Sequence, residues 1–355
     1  MGIDVYSTHA LLIGVRQLHT PTTFLRDRYF PTNEATDIFA TKDVLIEYKD
    51  GAKKIAPFVA PHRGGVTVLR EGSYMQRFTP PRIAPTRVLT VDEINNRGFG
   101  EALYTQFTPE QRQFAIVMND IKELEEMITR REEVMAAETM LTNGCIMKQI
   151  GDDPQKTDDV EIRFYTESAN PSKYTPTTKW GQAGAKIIDD IAAMIKMLTT
   201  RGLPATDLIV APDVAAIILN DAAIKELLDI RNVNIGNIDP IALPNGVSRI
   251  AVLNVYGRMI NVFSYDEQYT AEDGKTKQYI PNGYVILTAP AAGRTLRGAV
   301  TQIEQSDNIF HTYTGARVPK FYADVAGEKR TITLTACPLL VPISKNPWVS
   351  AKVTV

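Results

Sequence analysis

Two cysteines in 355 residues are too few for a disulfide scaffold, and neither belongs to a CxxC pair. Cys145 and Cys337 lie far apart in sequence, so two reduced, buried thiols are expected rather than a disulfide or a metal role. Histidine is as scarce. His9, His19, His62 and His311 are the whole supply, and no two stand at i, i+4 around a glutamate, which removes the zinc-hydrolase pattern. Long apolar runs are missing too: nothing approaches the ~18 residues of a membrane helix. The start, MGIDVYSTHALLIGVRQLHTP, has no basic region ahead of a long apolar one, so no signal peptide is read and a soluble protein without membrane contact is expected. An excess of one charge is also lacking. Net charge is -2, from 39 Lys plus Arg against 41 Asp plus Glu, which gives no global pull on nucleic acid. What the chain does have is 44% hydrophobic residues, enough for a real core in about two domains at roughly 150 residues each.

Catalytic patterns are missing as well. The run Gly181-Gln182-Ala183-Gly184-Ala185-Lys186 has the wrong spacing for a phosphate loop, and Gly98 and Gly100 form a GxG without its third glycine. Ser73 has no nucleophile-elbow context. Asp152-Asp153, Asp158-Asp159 and Asp189-Asp190 are adjacent carboxylates that point different ways, so they are expected to be solvated charges. Asp266 to Lys275 is acidic and turn-like but lacks the alternating ligands and closing glutamate of a calcium loop. No catalytic residue, metal site or cofactor is therefore expected.

The positive signals are structural. Residues 1–41 carry apolar anchors without a sustained period, and such an arm orders only when something pins it; a partner subunit is the expected pin. Between 42 and 90 the pattern is that of strands: Val44 to Tyr48, a turn at Lys49-Asp50-Gly51, Lys54 to Val59, Val66 to Arg70, a turn at Glu71-Gly72, then Tyr74 to Phe78. Five prolines (57, 61, 80, 81, 85) argue against a central sheet position, so a projecting β-excursion is expected. Next, Thr108-Pro109-Glu110-Gln111 forms a capping box with proline at the first helical position. Phe114, Val117, Ile121, Leu124, Ile128, Met135 and Leu141 then mark one apolar stripe until Asn143-Gly144, predicting a helix over 109–143 of on the order of 50 Å. Its opposite face, with Glu123, Glu126, Arg130 and Glu133, is expected to meet water or a charged partner. Further helices are predicted at 182–201, 214–220 and 222–230. Strands are predicted at 145–150, 160–165, 208–210, 248–255, 258–265, 284–287, 331–335 and 348–355. The fold class is α+β with mostly antiparallel sheets.

Charge is unevenly spread. Residues 42–90 hold nine basic residues against four acidic, whereas 108–144 hold four basic against eight acidic. Each segment could be a plain solvated face, but opposite signs on a projecting arm and a long helix suggest that the two meet, within a subunit or between neighbours.

This order of parts resembles the HK97-type capsid fold, and more specifically the lambda-like major capsid proteins of the gpE family. The residues that carry the likeness are Ala56-Pro57-Phe58-Val59-Ala60-Pro61 leading to Gly64-Gly65, Phe78-Thr79-Pro80, Ile83-Ala84-Pro85, Tyr279-Ile280-Pro281-Asn282-Gly283, Gly293-Arg294-Thr295-Leu296 and Pro338-Leu339-Leu340. The resemblance implies an N-terminal arm (1–41), an extended β-hairpin E-loop (42–90), a spine helix with P domain (91–205), an A domain (206–300), and a return to the P domain with a C-terminal strand (301–355). It implies a major capsid protein whose pentamers and hexamers form an icosahedral head shell enclosing double-stranded DNA without sequence-specific binding, assembled in the host cytoplasm. In such shells the E-loop crosses a neighbour's spine helix, which makes Lys53, Lys54, Arg63, Arg70 and Arg77 expected inter-subunit contacts for Glu123, Glu126 and Glu133. Because the chain starts at the arm, a separate scaffolding protein is expected; a portal protein and a possible decoration protein are the other implied partners. A cellular nanocompartment shell of the encapsulin type shares the fold and is the alternative, with an enzyme of undetected type the remote one.

Overall fold

The computed structural model describes residues 23–49, 73–95, 108–150, 157–164, 172–229, 236–237, 241–242 and 246–354. Its longest element is the helix Pro109–Thr142, one residue short of the predicted span. The capping box is formed: the Gln111 amide donates to Thr108 Oγ1 at 3.3 Å, and the Thr108 amide donates to Gln111 Oε1 at 3.1 Å. Asn143 ends the helix in the left-handed region (φ 57) and sends its N–H to the Thr139 carbonyl. Thr108→Ala is expected to cost about 1 kcal/mol, read as a lowered urea midpoint with an unchanged slope.

This helix joins two cores. Its first half lays Val117, Ile121, Leu124 and Ile128 on Leu89, Ile332, Leu334 and Ala336. Those residues come from a three-stranded antiparallel sheet and its margin, in the order Val318–Asp324, Lys329–Thr335, Thr86–Thr90. The second half enters the main core with Val134, Met135, Ala136, Ala137 and Met140. The single apolar stripe expected from the sequence therefore holds only as far as Ile128. From Glu132 to Ala137 every residue is buried, because the short helix Phe24–Tyr29 and the strand Gly144–Ile150 pack against this half.

The main core surrounds an eight-stranded mixed sheet. Seven strands run in the order Ser172–Tyr174, Val349–Lys352, Tyr284–Thr288, Asp207–Val210, Arg258–Tyr265, Val247–Val255, Gly236–Asn237, and Ile241–Ala242 also pairs with Val247–Val255. Its central strands Asp207–Val210 and Tyr284–Thr288 are almost wholly apolar and buried, as a sheet covered on both faces requires. The sheet draws on segments 91–205, 206–300 and 301–355 alike, so those three spans do not delimit it. The C-terminal strand in particular pairs with Tyr284–Thr288.

Two local expectations change. Val44–Lys49 pairs antiparallel with Ser73–Phe78, from Val44 opposite Phe78 to Lys49 opposite Ser73, so the outer strands of the excursion close on each other. The two predicted inner strands and most of their turns lie outside the described residues. The helix predicted at 182 starts at Ile187, because Gly181 (φ +87) and Gly184 (φ +84) hold the chain in left-handed turns first. The remaining arm residues are stitched along Gly293–Arg297 and its flanks. The Ala291 amide donates to the Arg28 carbonyl, Arg297 to Asp37, Phe39 to Arg297 and Ala299 to Thr41, at 2.8 to 3.0 Å.

Candidate functional site

The long helix presents two different surfaces. Outward, Met127 is half exposed and Ile146 on the adjoining strand is 52% exposed. They help line two grooves of about 720 and 700 Å³ that share Met127, Arg131, Val134, Glu138, Ile146 and Glu272. One groove is walled by the hairpin Gln268–Thr270 and Thr276–Gln278, pinned to the helix by an Arg131 to Glu272 ion pair. The other is walled by residues 81–85, the proline-rich exit of the β-excursion.

The expected contact residues are distributed as follows. Arg77 pairs with Asp43 at the base of its own hairpin. Glu123 pairs with Arg87 at 2.6 Å, and Glu126 with Arg130 one turn away at 3.0 Å. Arg87 belongs to the basic 42–90 segment, so part of the charge complementarity between that segment and the helix is met within one subunit. Lys53, Lys54, Arg63 and Arg70 lie outside the described residues. Glu133 is a correction: it is 0% exposed and cannot meet a neighbour. Helical spacing puts it on the side opposite the apolar stripe, but that side is covered by the arm helix. Its carboxylate accepts the amides of Leu25 (2.8 Å) and Arg26 (2.9 Å) and the hydroxyl of Tyr265 (2.6 Å). It thereby serves free N–H groups at the start of Phe24–Tyr29, whose Thr23 makes no side-chain cap. Asp190, expected to be solvated, is likewise buried and accepts Trp180 Nε1 (2.7 Å) and Tyr174 Oη (2.6 Å). Burial and that bond to Asp190 push the Tyr174 phenol up to about 12.

Inward lies a hub that no expectation named. Glu132 is fully buried and binds three guanidinium groups: Arg26 (2.9 Å), Arg297 (3.1 Å) and Arg317, which reaches both its oxygens at 2.8 and 3.0 Å. Burial alone would raise its pKa, but the charges of Arg317 and Arg297 outweigh that and hold the carboxyl well below the usual carboxylate range. A second buried carboxylate, Asp207 at the start of a central strand, takes Arg28 (2.7 Å), Tyr29 (3.1 Å) and Asn261 (3.2 Å). The arm helix has six residues and could not stand alone in water. It is held because Arg26 and Arg28 reach two different elements while its first amides sit on a third side chain.

Among the described residues no group of three His, Cys, Asp or Glu could hold a metal ion. Burial pushes the Cys145 thiol up to about 12, far from a reactive thiolate. Among the described residues no helix is long and apolar enough to cross a membrane.

The sequence profile of the phage major capsid protein E family matches residues 7–353. The chain belongs to that family. The major capsid protein of Enterobacteria phage P21 is 23% identical over 332 residues, covering 89% of this chain and 90% of that protein. The major capsid protein of Escherichia phage lambda is 23% identical over 320 residues, covering 88% and 90%. A crystal structure of a prophage protein from E. coli CFT073 superimposes with a TM-score of 0.67 at 16% identity, over 98% of this chain and 99% of that one. The fold is therefore the HK97-type capsid fold, and this capsid protein is structural, not an enzyme. It builds the multi-subunit shell of a phage head, and its place is the virion.

Proposed function

We propose that this capsid protein closes into pentamers and hexamers of an icosahedral shell around double-stranded DNA, with the E-loop (42–90) of each subunit lying on the outward face of a neighbour's long helix. The observation that carries the reading is the pair of grooves along that face, where Met127 on the helix and Ile146 on the adjoining strand leave apolar surface open next to the buried run from Glu132 to Ala137. The electrostatic part of the contact then rests on Lys53, Lys54, Arg63 and Arg70, since Arg77, Glu123 and Glu126 already have partners in their own subunit. Exposed pairs are worth roughly 0 to 1 kcal/mol each, so they act through repetition around a ring. Reversing the charge of Lys53, Lys54 and Arg70 together is expected to lower shell yield and to change its salt sensitivity, followed by sedimentation and negative-stain microscopy. Unchanged assembly at every salt concentration rules the contact out. A separate scaffolding protein, a portal protein and a decoration protein complete the proposed partners. The near-neutral chain suits confinement of DNA rather than tight binding to it.

A further inference from the structure

A tyrosine hydroxyl has one proton to give. Tyr265 Oη lies 2.6 Å from Glu133 Oε1 and 3.3 Å from Glu267 Oε2. The short contact has the length of a hydroxyl donating to a carboxylate, so the tyrosine proton is committed to Glu133. Glu133 also receives the amides of Leu25 and Arg26, so its two oxygens take three donors that favour the carboxylate and oppose the rise that burial imposes on its carboxyl. The contact between Glu267 and Tyr265 then has no proton unless Glu267 brings one. We propose that Glu267 is a carboxylic acid that donates to Tyr265 Oη, so that a single structural proton completes a chain from Glu267 through Tyr265 to Glu133 and ties the sheet to the long helix.

The surroundings favour holding that proton. Among the described residues no salt bridge reaches Glu133 or Glu267. Arg26, on the arm helix, faces Glu133 but spends its guanidinium on Glu132 and Asp27, and Arg130, on the long helix, faces Glu267 but pairs with Glu126. The other titratable neighbours are Tyr279, whose ring lies 5.6 Å from that of Tyr265, and Tyr269, 5.0 Å from Tyr279; neither brings positive charge. The Glu267 stem lies against Gly246, where an added Cβ would come within 2.8 Å of Glu267 Cγ, so the side chain has little room to swing away. Burial pushes the Glu267 carboxyl above its ordinary value; the Tyr265 hydrogen bond and the Arg130 charge work against that rise and the Glu133 charge adds to it, with the net shift upward. A raised folded-state pKa means stability that is complete at acid pH and lost as pH rises through that pKa. Glu267 therefore works as a proton-held joint: when it ionises, two carboxylates face one hydroxyl, and the grip of the sheet on the long helix weakens.

Glu267→Gln provides the test, because its amide N–H donates to Tyr265 Oη at every pH. Thermal unfolding of the full-length subunit from about pH 5 to about pH 8 is expected to show the wild-type midpoint falling by a few degrees relative to the variant toward the alkaline end. Infrared spectra of the wild type are expected to contain a protonated-carboxyl band that titrates above the ordinary carboxylate range and is gone in Glu267→Gln. Parallel midpoint curves, absence of the band from the wild type, or its survival in Glu267→Gln would each overturn the proposal.

Discussion

Glu132→Ala is expected to destabilise the subunit by about 3 to 5 kcal/mol, because removing one member of a buried ionic cluster leaves the others charged and unpaired. Here the others are three guanidinium groups. Arg297 and Arg317 are each under a tenth exposed, and neither can shed its proton to escape the cost. Arg26 would lose its tie from the arm helix to the long helix at the same time. Equilibrium urea unfolding reads the loss directly. The pH dependence has a defined sign. Because the folded-state pKa of Glu132 lies far below its unfolded value, its contribution is complete above the ordinary carboxylate range, about pH 4.3, and is lost as pH falls. The gap between wild type and Glu132→Ala is therefore expected to narrow in acid. Replacing Glu132, Arg297 and Arg317 together by apolar residues of similar volume should recover much of the stability, since a buried ion cluster is seldom better than good packing. A triple variant as unstable as Glu132→Ala would show that the cluster also fixes geometry that apolar side chains cannot.

Glu132 also shows where the sequence was readable. The stripe of the long helix steps from Ile128 to Met135, a gap of seven, and Glu132 stands in register between them, four residues after one and three before the other. A charged residue on an apolar stripe is a signal for a buried pair, and it was present. Its three partners were not readable, because Arg26, Arg297 and Arg317 lie 106 to 185 residues away and only the tertiary fold assembles them. The same division holds elsewhere. Thr108, Pro109, Gln111 and Asn143 act within one turn of their own backbone, so both ends of the helix could be placed from local chemistry. Glu133 is misplaced because helical periodicity assigns a face but cannot say what covers it, and Asp190 because a pair of adjacent carboxylates does not reveal that Tyr174 and Trp180 close over one of them. Val44–Lys49 finds its partner across 23 residues outside the described set, and a turn signal at Asp50-Gly51 carries no information about so distant a pairing.

The motif Gly293-Arg294-Thr295-Leu296 has a physical reason in the packing around its first residue. A Cβ built on Gly293 would stand 2.3 and 2.4 Å from ring carbons of Phe30 and 2.8 Å from the carbonyl oxygen of Val341. Neither neighbour is free to yield. Phe30 is 0% exposed, its ring lies 5.7 Å from that of the buried Trp348, and its carbonyl accepts the Thr295 hydroxyl at 2.8 Å. Val341 sits in the strand Pro338–Pro342, which pairs residue for residue with Gly293–Arg297. Gly293→Ala is accordingly expected to cost about 1 to 3 kcal/mol by overpacking, by displacing the arm where it turns onto the sheet margin. Phe30→Ala alone is expected to cost about 3 to 5 kcal/mol as a large-to-small core change. The two should not add. With the ring gone, the new methyl meets only the Val341 carbonyl and partly fills the vacated space, so Gly293→Ala should cost less in the Phe30→Ala background than in the wild type. A double-mutant cycle in urea measures that difference. Equal costs in both backgrounds would mean that the arm does not impose the glycine, and would move the cause to the strand pair alone.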